Sequence, residues 1–401
     1  MRIVHVHSSY ANVGGAERYL FSTLPCLRDL GVSNAVLYAR QYGGERAGDW
    51  PIVHVPALEG GAPDAERRRD LLRAVSELRP DVILLHGVGD PRVVEWLSEA
   101  AFLAHFVHSH FPIACPGDSK FLWTERTICT RPVGPFCMVA PWLQRCSTLQ
   151  PVRHLTSYAL GRRYMRAAAA NIGLYVVASR YMRDELLLNG FAADRIAIAP
   201  PGTEVTMAHG REPERSPDGR PIVLFAGRVT RHKGSDLLVK SMEHVATPAH
   251  LVVAGGGNGV DAVREEGRSL PPRHTMAITG LLEPDALDAW YRGAAVVVVP
   301  SMWGEPFGLV GIEAMARERP VVGFDRGAIG EWLDHGVTGL LVPGGDVRAL
   351  GEAIDSLLVD PSKAQRMGHA GRERVLAEYT VARHAERLMA ALRARDLTPP
   401  P

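Results

Sequence analysis

No apolar run in this chain approaches the roughly 20 residues needed to span a bilayer. Residues 1–6, Met1-Arg2-Ile3-Val4-His5-Val6, start on a strand-like pattern without a charged-then-apolar leader. Together these absences lead us to expect a cytoplasmic protein. Cysteine is scarce: Cys26, Cys115, Cys129, Cys137 and Cys146 are 5 in 401 residues, an odd number that suits reduced thiols better than an extracellular disulfide frame. Excess charge is missing too, the formal net charge being +1, so nothing here points to nucleic acid as a partner.

What the chain has is length and alternation. Its 401 residues are too many for one ordinary core and suit two domains of roughly 200 residues each. Residues 294–299 form an uninterrupted apolar run closed by Pro300 and Ser301, which predicts a buried parallel strand. The loop Met302-Trp303-Gly304-Glu305-Pro306-Phe307-Gly308 follows. Leu309, Ile312, Met315 and Ala316 then take helical spacing until Arg319-Pro320 ends it. A loop opening into a helix amino terminus offers unpaired N–H groups and positive dipole to a phosphate or polar ligand. Glu305 stands in that loop, where it could simply complement the dipole. Glu313, flanked by the uncharged Gly311, Ile312, Ala314 and Met315, falls on a half-buried turn. A carboxylate there needs hydrogen-bond donors, and the vicinal hydroxyls of a ribose are suitable ones.

Residues 305–316, Glu-Pro-Phe-Gly-Leu-Val-Gly-Ile-Glu-Ala-Met-Ala, resemble the Glu-x7-Glu signature of the retaining glycosyltransferases of family 4, the group 1 glycosyltransferases of GT-B fold. The resemblance implies an α/β chain of two Rossmann-like, doubly wound parallel-sheet domains facing a central cleft. It extends over essentially the whole chain, most specifically over 221–343. The division it implies is an acceptor-side domain over 1–205, joined by the terminal helix 379–401, and a nucleotide-sugar-binding domain over 206–378. Glu305, Phe307, Gly308 and Leu309 would hold the donor sugar and Glu313 the nucleotide ribose.

In chain order, Asn12-Val13-Gly14-Gly15-Ala16-Glu17 leads from the first strand into a helix reaching about Leu30. Paired glycines let the backbone approach a bound group, though a plain tight turn fits equally. The resemblance sets Gly15 beside the donor phosphates and Glu17 on the acceptor side, where an acid in a first helical turn needs no such role. Strands near 34–39, 52–55, 81–85, 102–107, 174–179 and 195–199 alternate with helices such as 65–78 and 91–100, which implies a doubly wound parallel sheet. After the 102–107 strand comes His108-Ser109-His110-Phe111-Pro112. A histidine there is readily structural. The family has at this place a His that reaches the transferred sugar, followed by Asp or Asn. Ser109 replaces that residue and leaves His108 and His110 both open, with His108 preferred as the catalytic one.

Residues 209–220, rich in Pro, Gly and charge, predict an exposed linker. A strand over 221–226 then meets Gly227-Arg228-Val229-Thr230-Arg231-His232-Lys233-Gly234. Either cation alone would be an ordinary surface charge, but Arg228 and Lys233 beside helix N–H groups suit a diphosphate. The loop is similar to the family's Gly-Arg-x4-Lys-Gly clamp, which makes Gly227, Arg228 and Lys233 expected donor-binding residues, with Arg228 and Lys233 catalytic as well. Strands at 251–254 and 276–279 follow, and the family meets the base with backbone near Gly280 and Leu281. A strand at 338–342 and helices over 347–358 and 362–392 complete the chain.

Residues 115–146 carry Cys115, Cys129, Cys137 and Cys146 in a proline-broken stretch. An irregular stretch of that length is usually functional or tied down, and four cysteines could bind a structural zinc. No Cys-x2-Cys pair is present, so buried thiols are the competing expectation. The helix over 155–170 carries Arg162, Arg163 and Arg166, either a solvated face or a peripheral contact with the inner membrane surface. The function expected from the resemblance is retaining transfer of a sugar from a nucleoside diphosphate sugar, UDP preferred, to a small-molecule, glycan or lipid-linked acceptor hydroxyl. No Asp-x-Asp triplet occurs in the chain, so no cofactor is expected for catalysis. A nucleotide-sugar 2-epimerase and a non-catalytic sugar-nucleotide-binding subunit compete with this reading.

Overall fold

The computed structural model describes residues 1–11, 15–42, 49–116, 120–147, 149–205 and 211–397, and within them not the side chains of 10, 11, 15–17, 41 and 42. Two compact units are present. Met1–Thr124, Cys129–Pro201 and Val381–Pro401 make the first, Glu125–Ile128 and Gly202–Thr380 the second.

The first unit is built on seven parallel strands: β1 (Arg2–Ala11), β2 (Ser33–Tyr42), β3 (Ile52–His54), β4 (Val82–His86), β5 (Phe102–Val107), β6 (Leu174–Val177) and β7 (Ile196–Ile198). Their order is β3-β2-β1-β4-β5-β6-β7. β4 and β5 are buried at every residue because helices cover both faces, which is why they show no polar alternation. On one face Leu85, Leu103 and Val177 pack with Val75, Leu97 and Tyr164. On the other, Leu84, Phe106 and Val176 pack with Leu27 and with Leu388 and Leu392 of the terminal helix Val381–Arg393.

The second unit repeats the plan with β8 (Ile222–Ala226), β9 (His250–Ala254), β10 (Thr275–Gly280), β11 (Ala294–Val299), β12 (Val321–Phe324) and β13 (Gly339–Val342). The order is β10-β9-β8-β11-β12-β13. Chain direction across each sheet therefore reverses at one place, between β1 and β4 in the first and between β8 and β11 in the second. Open parallel sheets bind ligands at the carboxyl ends of such strand pairs.

Three local expectations differ from the structure. The helix expected over 362–392 is two, Pro361–Glu378 and Val381–Arg393, separated where the Tyr379 carbonyl accepts from Thr203 N at 2.8 Å. From Arg211 the expected linker is docked, with Glu214 N bonded to Ala289 O at 3.0 Å and Ser216 buried. The helix expected from 155 begins at Pro151, whose fixed φ and missing N–H suit a first helical position. No helix among the described residues is long and apolar enough to cross a membrane.

Candidate active site

In the second unit the loops after β8 and β11 bring together residues far apart in sequence. Glu305 is 5% exposed, and three donors converge on its Oε2: Lys233 Nζ at 2.7 Å, Ser301 Oγ at 2.8 Å and Trp303 Nε1 at 3.0 Å. No donor among the described residues reaches Oε1. Burial by itself raises the Glu305 carboxyl; the Lys233 ammonium and the three hydrogen bonds outweigh it and hold the group below the usual carboxylate range. Lys233 also lies 5.4 Å from the centre of the Trp303 ring, a cation–π distance. The Arg228 guanidinium is exposed and has no hydrogen bond or ion pair among the described residues.

The helix Leu309–Ala316 starts at Gly308, whose φ of +95° is left-handed and whose missing side chain leaves the first-turn N–H groups without a side-chain cap. Trp332 braces this start: its Nε1 donates to Phe307 O at 2.6 Å, and a Cβ on Gly311 would lie 1.9 Å from its ring. The Phe307 side chain is spent in the core beside Tyr379 and offers a ligand its backbone only. Leu309 is half-buried at the helix mouth. Glu313, one turn on, is half-buried and accepts from Tyr291 Oη at 2.8 Å, a partner its local sequence gives no hint of. Gly227 closes β8 with its N–H on Ala254 O at 2.9 Å. At the end of β10, Gly280 takes φ +72° and Leu281 is 81% exposed, an apolar side chain left in water.

In the first unit a ladder of neutral rings ends on His108. Asn34 Nδ2 donates to Leu24 O at 3.2 Å, which leaves its Oδ1 to accept from His5 Nε2 at 3.2 Å. His5 Nδ1 is then unprotonated and accepts from His86 Nε2 at 3.1 Å, and His86 Nδ1 in turn accepts from His108 Nε2 at 3.1 Å. His108 therefore carries its proton on Nε2, and its Nδ1 keeps a lone pair with no partner among the described residues. Burial pushes His5 down to about 4, with Asn34 opposing. Burial and then the neighbouring histidines hold His86 and His108 well below the ordinary value. His110 is used elsewhere, buried with Nε2 at 2.9 Å from Tyr181 Oη. Gly15 opens the helix Gly15–Asp29, whereas Gly14 and the Glu17 side chain lie outside the described residues.

Cys115, Cys129, Cys137 and Cys146 line one cavity of about 260 Å³ with Phe136 and His154. None of the five cysteines is in a disulfide. Among the described residues no group of three or more His, Cys, Asp or Glu is placed to hold a metal ion, so the four thiols share a wall without converging on a zinc position.

Comparison with known proteins agrees with this geometry. Residues 13–206 match the family model described as Glycosyltransferase Family 4, and residues 208–374 match Glycosyl transferases group 1. The chain is 32% identical over 280 residues to the alpha-maltose-1-phosphate synthase of Mycolicibacterium smegmatis, a match covering 62% of this chain and 72% of that protein. The chain belongs to glycosyltransferase family 4. Among solved structures, sucrose-phosphate synthase from Thermosynechococcus elongatus matches with a TM-score of 0.71 at 22% identity, covering 98% of each chain. Anabaena Alr3699/HepE in complex with UDP and glucose matches with a TM-score of 0.71 at 15% identity, over 98% of this chain and 100% of that one. The two parallel-sheet units of this family 4 glycosyltransferase are thus those of the GT-B fold.

Proposed function

We propose that this glycosyltransferase moves a sugar from a nucleoside diphosphate sugar, a UDP-sugar by preference, to an acceptor hydroxyl with retention at the anomeric carbon and without a divalent cation. The observation that carries the reading is the β8/β11 switch point, where a buried anionic Glu305 held by Lys233 adjoins an uncapped helix start and the unpaired Arg228 guanidinium belongs to the same loop as Lys233. UDP is preferred because a structural neighbour holds UDP and glucose. Arg228, Lys233 and the first-turn N–H groups stabilise charge growing on the leaving diphosphate, in a site preorganised to receive it. Glu305 accepts from a hydroxyl of the donor sugar through Oε1, and Glu313 accepts from the ribose. The bond from the anomeric carbon to the phosphate oxygen breaks on the same face on which the bond to the acceptor oxygen forms, and the acceptor proton goes to the leaving phosphate. His108 offers its Nδ1 lone pair to a hydroxyl of the transferred sugar. In the first unit a polar cavity of about 180 Å³, lined by Ser8, Arg40, Glu59 and Asp90 among others, suits a hydroxyl-rich acceptor.

Transfer should proceed at an unchanged rate after brief EDTA treatment, and NMR of the product should show the donor's anomeric configuration. Immediate loss of transfer restored by magnesium overturns the cation-free step, and an inverted product overturns retention. Donor incubated without acceptor should be hydrolysed slowly; an epimerised product, or binding with no turnover, would establish one of the two competing readings instead.

His108→Ala should lose about a hundredfold in kcat, because its Nδ1 lone pair faces substrate, and should also lower Tm, because His86 Nδ1 loses its donor. His110→Ala should lower Tm by breaking the Tyr181 hydrogen bond while leaving kcat within a few-fold. Equal losses of kcat in the two variants would remove His108 from the site.

A further inference from the structure

Residues 129–171 contain six arginines, Arg131, Arg145, Arg153, Arg162, Arg163 and Arg166, and no Asp, Glu or Lys, in a chain whose net charge is +1. None of the six is ion-paired among the described residues. The same stretch holds the densest run of exposed large apolar side chains: Val152 is 74% exposed, Leu143 62% and Trp142 52%, with Val139, Leu155 and Phe136 also exposed.

These side chains belong to one surface. His154, in the first turn of the helix Pro151–Asn171, has Nε2 at 2.7 Å from Cys137 O and its ring 6.4 Å from that of Trp142. The short helix Ala140–Gln144, the turn Pro135–Met138 and the start of the long helix are thereby held together, with Val152 and Leu155 flanking His154. Arg131 lies over the Phe136 ring at 4.6 Å, and Arg153, Arg163 and Arg166 are exposed along the long helix. Beneath lies the thiol-lined cavity of about 260 Å³.

We propose that this surface docks the first unit on a bilayer containing anionic phospholipid, with Trp142, Leu143 and Val152 entering the headgroup–acyl boundary and the arginines meeting lipid phosphates. Aliphatic and tryptophan side chains beside cations that have no ion-pair partner among the described residues are what an anionic interface accepts: hydrocarbon takes the first, phosphate the second. A second copy of the chain does not fit, since a self-complementary contact would set six uncompensated arginines against six more. The docking rests on this surface alone and holds whatever the donor, so its failure leaves the transfer reading untouched.

The test is flotation of the full chain with phosphatidylcholine vesicles, with and without phosphatidylglycerol, and with brominated acyl chains to quench tryptophan. The wild type should float only with phosphatidylglycerol, lose binding as salt is raised, and show quenching that Trp142→Tyr removes. Combined Arg153→Gln, Arg163→Gln and Arg166→Gln should weaken binding on the order of a hundredfold. Leu143→Glu with Val152→Glu should abolish it. All these positions are exposed, and Tm with nucleotide binding checks that the variants fold. No flotation with anionic vesicles overturns the proposal, as does flotation insensitive to these substitutions. A concentration-dependent dimer abolished by Leu143→Glu, seen by ultracentrifugation without vesicle binding, would assign the surface to a second copy and overturn it too.

Discussion

Glu305→Ala should lower kcat by about a thousandfold, while Glu313→Ala should leave kcat at saturating donor nearly unchanged and weaken nucleotide binding by about tenfold. The asymmetry follows from what each carboxylate faces. Glu305 is buried and held by three donors on one oxygen, and on the proposed reading its Oε1 meets the transferred sugar, which moves during the reaction. Glu313 accepts from Tyr291 and, on the same reading, meets the ribose, which does not change, so its contribution would be uniform binding. Stability separates the two as well. Removing one partner of a buried pair costs about 3 kcal/mol or more, but Lys233 is 22% exposed and can rehydrate, so Glu305→Ala should stay near the low end of that range. Because the folded carboxyl titrates below its unfolded value, its stabilisation is present above the unfolded pKa and disappears as pH falls through the folded one. Initial-rate kinetics, calorimetric titration with UDP and thermal unfolding give the three readouts. Unchanged UDP affinity in Glu313→Ala would sink the ribose contact, and unchanged turnover in Glu305→Ala would sink the sugar contact.

Much of the scaffold is legible in the residues, and the failures are tertiary. β11 can be read at both ends, because Gly293 and Pro300 bracket six apolar residues. The helix Arg180–Leu188 is missed although Ser179 caps it, accepting from Met182 N at 3.1 Å, because the segment is short and lies between two strands that draw the eye. Lys233 and Glu305 can each be assigned to a ligand from local pattern. That they bond each other depends on the sheet order that sets β8 beside β11, which periodicity does not encode. Tyr291 on Glu313 is hidden for the same reason. His5 sits inside an apolar strand run and His86 ends one, where a histidine merely interrupts or closes a pattern, and only the β1–β4 pairing stacks their rings at 5.3 Å. The length and irregularity of residues 115–146 imply a functional or tied-down stretch. That the four thiols face a common cavity without converging as ligands is information carried by the fold around them.

Buried histidines should also make the first unit acid-labile. His5, His105 and His384 are each lowered to about 4, by burial first: Asn34 opposes at His5, and at His384 the Pro200 and Ala199 carbonyls oppose while Arg387 assists. None of the three has a carboxylate partner among the described residues. Their folded pKa values lie below the unfolded value near 6.5, so between those limits the unfolded chain takes up protons that the folded chain refuses, and stability falls as pH falls. Above about pH 7.5 all three are essentially neutral in both states and contribute almost no slope. At pH 5 each ring should have cost about 2 kcal/mol, roughly 6 kcal/mol for the three, a large share of the 5–15 kcal/mol that holds a typical domain together. The thermal transition of the first unit should therefore drop steeply between pH 6.5 and pH 5, while its position above about pH 7.5 stays nearly flat. His105 gives the cleanest control: its Nδ1 is buried without a partner among the described residues, and its ring lies against Tyr164 and Tyr175. His105→Leu removes that orphan nitrogen and should reduce the acid slope by about one proton without loss of Tm at pH 7.5. A transition temperature constant from pH 7 to pH 5, or a His105→Leu slope equal to that of the wild type, would mean that the folded ring cluster accepts protons and that its burial does not set its charge.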